Sequence, residues 1–336
     1  MKLASFELSG ETKIGIMTDK DQNLIDLRAA GCEHFRSQGD SHAAEHARAM
    51  FPSDMVTFLE GGDVTLKIAR EVAKRTERLL RRKGREPAAL RRAVLHPVKR
   101  VRLLAPVPRP PKVIGIGGNY PSLLKTWPRP PKNPPMFIMA PTSVCGPNED
   151  VVLLRGSRYI QPEIELCVVI GKRARHVSAR DAHDVVAGYT IGNDISEIDS
   201  LMSEWVLRRR PELKPLGIPT EAPFNLSLAF QCKNYDTFNP MGPCLITKDA
   251  FDPEKAQITL KLNGKVIQRS NTRDMVVKIA RQIEFVSSVW TLEPGDVFFT
   301  GAQGHLPPLK PGDVMEHTIR GIGTFRNKCV LEKVRR

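Results

Sequence analysis

Glu163, Glu165 and Asp194 are the residues whose types and spacing point most directly to chemistry. Glu163-Ile164-Glu165 opens an apolar run that ends at Ile170 and is closed by Gly171, a pattern that predicts a strand. Alternate side chains of a strand share a face, so the two carboxylates project together. Acids side by side repel, and burying them is costly without a cation. Asp194 ends a second strand-like segment that begins at Gly188. A third carboxylate there would complete an all-oxygen site for a hard cation, Mg²⁺ or Mn²⁺. An isolated Glu-x-Glu is more often a pair of surface acids at a strand end, so the surrounding sequence has to decide.

The elements that must position these acids follow from pattern. Short strands are expected at Lys2–Leu8, Lys13–Met17 and Leu24–Leu27, and a mainly helical stretch over 41–92. In that stretch Pro52-Ser53-Asp54 marks a helix start and Gly61-Gly62 a break. Pro106, Pro108, Pro110 and Pro111 form a stiff connector. Strands then dominate, at 113–116, 136–139, 151–154, 163–170, 244–247, 258–262, 297–300 and 314–319, with helices expected at Ala179–Val186 and Met275–Val289. Many short strands with few helices predict a β-rich α+β fold.

Several blocks accompany the acids: Arg-Leu-Leu-Ala-Pro-Val-Pro at 102–108, Lys-Val-Ile-Gly-Ile-Gly-Gly-Asn-Tyr at 112–120 and Ala-Gly-Tyr-Thr-Ile-Gly-Asn-Asp-Ile-Ser at 187–196. Lys-Asn-Tyr-Asp-Thr-Phe-Asn-Pro-Met-Gly-Pro follows at 233–243, Asn-Thr-Arg-Asp-Met at 271–275 and Leu-Glu-Pro-Gly-Asp-Val-Phe-Phe-Thr-Gly at 292–301. In that order the set closely resembles the fumarylacetoacetate hydrolase family, from about residue 100 to the C-terminus. The resemblance implies a rolled mixed β-sheet catalytic domain over 104–336, a small N-terminal α+β domain over 1–103, and assembly as a homodimer. It also implies a metal site of Glu163, Glu165 and Asp194.

Carried over by position, Lys233 would neutralise charge developing on the substrate, and Asp236 would help fix that lysine. Thr300 and Gly301 would bind the substrate carboxylate through a hydroxyl and a backbone N–H. Asn119 and Tyr120 would line the pocket. Departures from the family pattern matter as much. Where hydrolytic relatives carry a lid His and Glu that activate water, this chain reads Pro121-Ser122-Leu123-Leu124-Lys125-Thr126. Leu123 and Thr126 cannot abstract a proton. Met139 stands in place of a lysine, Gln161 in place of an aspartate, and Ile198 in place of an arginine. Replacement bases are sought in His305 and Glu197, and Lys125 would serve only if closure desolvated it severely. The stretch between Asp194 and Lys233, with Glu204, Trp205, Arg208, Arg209, Arg210 and Pro215, is longer than usual in the family. It would suit a bulky or anionic ligand, a solvated loop or a dimer contact.

The expected activity is divalent-metal-dependent hydrolysis of a C–C bond in an acylpyruvate or other 2,4-diketo acid, through a metal-stabilised enolate. The alternative on the same scaffold is isomerisation, decarboxylation or dehydration of a 2-keto acid, which the lost lid dyad favours. A catalytically inactive metal- or ligand-binding relative is a third reading.

Composition sets limits. The 336 residues carry a net charge of +14, but residues 67–102 alone hold fourteen Lys or Arg against three Glu. That segment lacks interleaved aromatics and any nucleic-acid motif, so a solvated helical face is expected rather than a nucleic-acid surface. No apolar stretch approaches the roughly 20 residues of a membrane span, and the N-terminus lacks a signal-peptide core. Six scattered cysteines without a Cys-x-x-Cys pair fit reduced, mostly buried thiols in a cytoplasmic protein.

Overall fold

The computed structural model describes every residue except 19, 83–84, 126–132, 134, 204, 226–230 and 334–336; the side chains of 85–87, 205 and 223–225 are also left out. Its organising element is the strand Ile164–Ile170, buried at every residue. Ile164, Leu166, Val168 and Ile170 enter one hydrophobic core with Ile258, Leu260, Met315 and Phe325. Cys167 and Val169 enter a second with Leu27, Phe58, Val72 and Phe299. Both faces are covered, which is why the run reads as continuously apolar.

Val186–Asn193 lies antiparallel on one side of this strand, with Ile164 opposite Asn193. Val297–Phe299 lies antiparallel on the other, with Cys167 opposite Phe299. Beyond Val186–Asn193 come Asn239–Thr247, Lys2–Leu8, Glu11–Thr18, Asn23–Asp26 and Leu95–Pro97; beyond Val297–Phe299 come Val113–Ile116, in parallel, and Met136–Met139. With two short strands off this path the sheet has twelve strands, mixed in direction and open at both ends. Lys2 pairs with Ile246 and Leu3 with Leu245, so the N-terminal strands extend the same sheet across position 103. A second, five-stranded sheet runs Lys265–Asn271, Gln257–Leu262, Val314–Ile319, Gly323–Leu331 and Val151–Leu153. It covers the face of the large sheet opposite the N-terminal helices.

Those helices are Leu27–Arg36, Ala43–Met50, Met55–Glu60, Gly62–Leu80 and Arg85–Val94. Asp54 caps Met55–Glu60 by accepting from the Thr57 N–H at 2.8 Å, as its sequence position predicts. Gly62–Leu80 buries Thr65, Ala69, Val72, Ala73 and Thr76 on one stripe and leaves Lys67, Lys74 and Arg78 exposed, a solvated basic face.

Three element expectations need correction. Leu27 starts a helix instead of ending a strand, because the Asp26 carboxylate accepts from the Ala29 N–H at 3.0 Å and caps the turn. Ala179–Val186 is not a helix: only Ala182–Val185 makes a 3₁₀ turn before the strand Val186–Asn193 begins. Too few residues precede that β-branched strand to pay for helix nucleation. The helix expected at Met275–Val289 begins at Ile279. All six cysteines are free and five are buried. Among the described residues no helix is long and apolar enough to cross a membrane.

Candidate metal centre

The large sheet brings the three acids together. Glu165 lies in Ile164–Ile170 with Glu163 just before it, and Asp194 follows directly on the paired strand. The Asp194 N–H donates to the Glu163 carbonyl at 2.9 Å, which fixes the turn-off of the two strands side by side. One carboxylate oxygen from each of the three acids lies within 4.8 Å of the others. Glu165 and Asp194 are almost fully buried, and the Glu163 side chain is 16% exposed, so the cluster has one open side.

Each acid has a support. The Gly301 N–H donates to Glu165 Oε2 at 2.6 Å. Gln161 Nε2 donates to Glu163 Oε1 at 2.6 Å. Lys233 Nζ, itself buried, donates to Asp194 Oδ2 at 2.6 Å and Glu163 Oε2 at 3.0 Å, and stands 5.4 Å from the centre of the Phe137 ring. Burial, then the charges of Asp194 and Glu163, push the Glu165 carboxyl well above its ordinary range. Burial pushes Asp194 up to about 6 against the pull of Lys233. Burial would depress the Lys233 ammonium, but Asp194 and Glu163 outweigh it and hold its pKa above the ordinary lysine value.

These residues fit a divalent cation on two counts. Asp194 Oδ1 is buried and has no hydrogen-bond partner, so one hard-oxygen lone pair is left unsatisfied in the cluster. With all three carboxylates ionised, as a bound cation would hold them, they carry −3 against the +1 of Lys233, leaving −2 in a largely dry site. An M²⁺ ion held by Glu163, Glu165 and Asp194 cancels that charge.

The other expected site residues divide sharply. Tyr120 is fully buried with an unpartnered hydroxyl, and burial, followed by the Glu165 charge, raises its pKa. Asn119 is buried beside it, but its side chain is consumed: Nδ2 donates to the carbonyls of Thr300 (2.7 Å) and Val277 (3.1 Å), and Oδ1 accepts from the Val277 N–H at 2.8 Å. Asn119 braces the wall that carries Tyr120 and leaves no polar atom to line a pocket. The Thr300 hydroxyl donates to the Leu166 carbonyl at 2.7 Å, and the Gly301 N–H is taken by Glu165. Both therefore tie this turn to the strand Ile164–Ile170 through the groups expected to meet a substrate carboxylate.

The expected acid–base groups have different surroundings. Asp236 is exposed, and the carboxylates that hold Lys233 are Asp194 and Glu163. Glu197 is buried and saturated: it accepts from the N–H groups of Asp199 (3.0 Å) and Ser200 (2.9 Å), from Ser157 Oγ (2.7 Å) and from Ser200 Oγ. It caps the helix Ile198–Ser203. His305 is exposed on a loop, in a left-handed conformation with φ 66°. Lys125 is exposed, and the lid turn Pro121–Leu124 packs Leu123 against Gly304, where a Cβ would meet Leu123 Cδ1 at 2.8 Å. Thr126 and Glu204 lie outside the described residues.

One support has no signal in the motifs. Asn193 Oδ1 accepts from the Glu163 N–H at 2.6 Å, while its Nδ2 lies 2.9 Å from His317 Nε2. His317 is fully buried and stacked on Phe325 at 4.4 Å, and burial drives its pKa down to about 3, so the ring is neutral. Because Asn193 Nδ2 is a donor, Nε2 accepts and the ring proton sits on Nδ1. The second sheet thereby sets the orientation of the Glu163 backbone. Only the alternation of the strand Val314–Ile319, with His317 at an inward position, hints at it.

Residues 112–330 match the family model described as Fumarylacetoacetate (FAA) hydrolase C-terminal. The Homo sapiens protein named oxaloacetate tautomerase FAHD2A, mitochondrial is 37% identical over 288 residues, 83% of this chain and 80% of that one. An uncharacterised protein of Pyrococcus abyssi is 37% identical over 225 residues, 67% of this chain and 92% of its own length. Among solved structures, maleylpyruvate hydrolase from Sphingobium sp. SYK-6, in complex with manganese (II) ion and pyruvate, superimposes with a TM-score of 0.69 at 26% identity, covering 99% of this chain and 100% of that one. The 5-carboxymethyl-2-hydroxymuconate delta-isomerase from Mycobacterium smegmatis gives 0.66 at 26% identity over the same shares. The acidic cluster, the sheet that builds it and these likenesses agree: the chain belongs to the fumarylacetoacetate hydrolase family.

Proposed function

We propose that this protein is a divalent-metal-dependent tautomerase or isomerase of a small 2-keto acid, with oxaloacetate-like dicarboxylates as the first substrates to test. The observation that carries the reading is Lys233. An ammonium has three N–H donors; two are spent on Asp194 and Glu163, and the third is free for a substrate oxygen. Held charged by the acids beside it, Lys233 is a donor and an electrostatic stabiliser, not a base. The Tyr120 hydroxyl, kept protonated by burial, is a second donor with no protein partner. An M²⁺ ion held by Glu163, Glu165 and Asp194 would supply Lewis-acid polarisation of the keto group.

Keto–enol exchange needs little more from the chain. The proton leaving carbon would pass to solvent water at the open side of the cluster and another would return from water to oxygen, so the chain has only to stabilise the negative charge on the enolate oxygen in between. Lys233 Nζ would donate to that oxygen, and the Phe137 ring below would keep bulk water off the ammonium. Hydrolysis of a C–C bond asks for more, namely a group that deprotonates water. Among the described residues both replacement bases are ill placed for it: Glu197 is saturated and His305 exposed. The similarity to a relative named for oxaloacetate tautomerisation supports the same choice.

The second reading, C–C hydrolysis of an acylpyruvate, is favoured by the likeness to maleylpyruvate hydrolase. One experiment separates the two. Metal-loaded protein is mixed with enol-oxaloacetate and, separately, with acylpyruvates, and the products are followed by NMR. Faster enol loss at unchanged mass supports tautomerisation. Release of pyruvate and a carboxylic acid from the acylpyruvates, with no effect on the oxaloacetate enol, overturns it. A homodimer and a cytoplasmic location remain part of the proposal, the first checked by light scattering and the second by fractionation.

A further inference from the structure

The basic segment 67–102 plays no part in the metal centre. It does form one side of an open cleft of about 680 Å³ between Leu27–Arg36, Gly62–Leu80 and Arg85–Val94. Leu79, Ala89 and Leu90 give apolar walls, and His34, Arg75 and Arg82 the main polar lining. Six of the eleven lining residues are polar or charged, so the cleft sets apolar walls against a polar, mainly basic side, and its volume is that of a small-molecule site.

The charges around the cleft are unevenly used. Glu33, the acid in its lining, pairs with Arg36. Arg70 pairs with Asp249 at 2.6 Å, and Arg91 donates to the Leu80 carbonyl, covering a helix end that would repel an anion. Among the described residues, the guanidinium groups of Arg75 and Arg82 have neither an ion pair nor a hydrogen bond. His34 Nδ1 is buried without a partner, and Arg75 is close enough to add to burial in lowering the His34 pKa. Glu71 is the opposing charge there, exposed one turn from Arg75. Solvated surface arginines often lack partners; two that line one cleft beside an imidazole with an unpartnered Nδ1 are a different arrangement. Guanidinium groups match carboxylate and phosphate oxygens in fork geometry.

We infer that this three-helix cleft binds an organic anion, a carboxylate or phosphate ester on an apolar body, at a site separate from the metal centre. Arg75 and His34 hold the anionic head, Arg82 stands at the mouth, and the alanine and leucine walls take the apolar part.

The test is calorimetric titration of the full chain, stripped of metal, at low salt, with sodium octanoate, octyl phosphate, inorganic phosphate and octanol. Octanoate or octyl phosphate should saturate one site per chain, and which binds more tightly tells carboxylate from phosphate. Arg75→Ala should weaken binding by about tenfold. Ala93→Phe, which fills the cleft, should abolish it, and Glu165→Gln should leave it unchanged. Arg82→Ala, at an exposed position, gives a further reading should either cleft variant fold poorly, and it should also weaken binding. No saturable binding of either amphiphile overturns the inference. So does affinity that is equal in wild type and in the cleft variants, or inorganic phosphate binding as tightly as octyl phosphate.

Discussion

Lys233 Nζ lies 2.6 Å from Asp194 Oδ2, with the two side chains 7% and 3% exposed. A contact this dry is costly to break from one side, because the partner is left charged and buried. Lys233→Met should therefore destabilise the metal-free protein by about 3–5 kcal/mol. Adding Mn²⁺ should recover part of the loss, since the cation takes over the neutralising role. Thermal unfolding with and without metal reads both; an unchanged metal-free Tm would contradict the placement of Lys233.

Gly301 has φ 97°, and a Cβ there would come 2.6 Å from the Asn119 Cβ. Its N–H is also the donor to Glu165. Gly301→Ala should cost about 1–3 kcal/mol in stability and weaken metal binding as well. A variant that melts early yet binds Mn²⁺ normally would show that the N–H does not orient Glu165.

His317 gives the protein an acid limb. Its folded pKa is depressed to about 3 from the ordinary 6.5, so between those values the unfolded chain binds a proton that the folded chain refuses. Stability from this group is complete above about pH 6.5 and is lost as pH falls, by up to about 1.4 kcal/mol per pH unit. His317→Gln, which keeps an acceptor for Asn193, should flatten the slope of urea-derived stability between pH 6.5 and 4. An unaltered slope would place the titration elsewhere.

The two replacement-base candidates make a paired prediction. His305→Ala should leave turnover within about twofold, since surface changes rarely exceed about 0.5 kcal/mol. Glu197→Ala should lower stability by about 1–2 kcal/mol through loss of the helix cap, while Mn²⁺ affinity stays the same. Turnover in His305→Ala reduced a hundredfold with the fold intact would restore that residue as an acid–base group.

Much of the acidic cluster is legible in the sequence because strand period brings its members together. Glu163 and Glu165 share a face by their spacing, and the Gly188-to-Asp194 run pairs beside them. What the sequence conceals is where hydrogen-bonding capacity is spent. Asn119, Thr300 and Gly301 have the types expected of substrate contacts, yet their polar atoms are taken by Val277, Leu166 and Glu165. Glu197 resembles a base until the cap it forms is seen. The β-rich α+β character of the fold is legible in the strand pattern, but the long-range pairing is not: Lys2–Leu8 with Asn239–Thr247 joins segments more than two hundred residues apart, and no local pattern encodes it. His317 belongs to the same class, since it reaches Glu163 only through Asn193 and a second sheet.

The central claim is that Glu163, Glu165 and Asp194 hold one divalent cation. Calorimetric titration of metal-stripped protein with Mn²⁺ tests it most directly, using wild type and Asp194→Asn. The account predicts one site per chain in wild type, weakened at least about a hundredfold in the variant while the fold is kept. Equal Mn²⁺ affinity in the two proteins would contradict it.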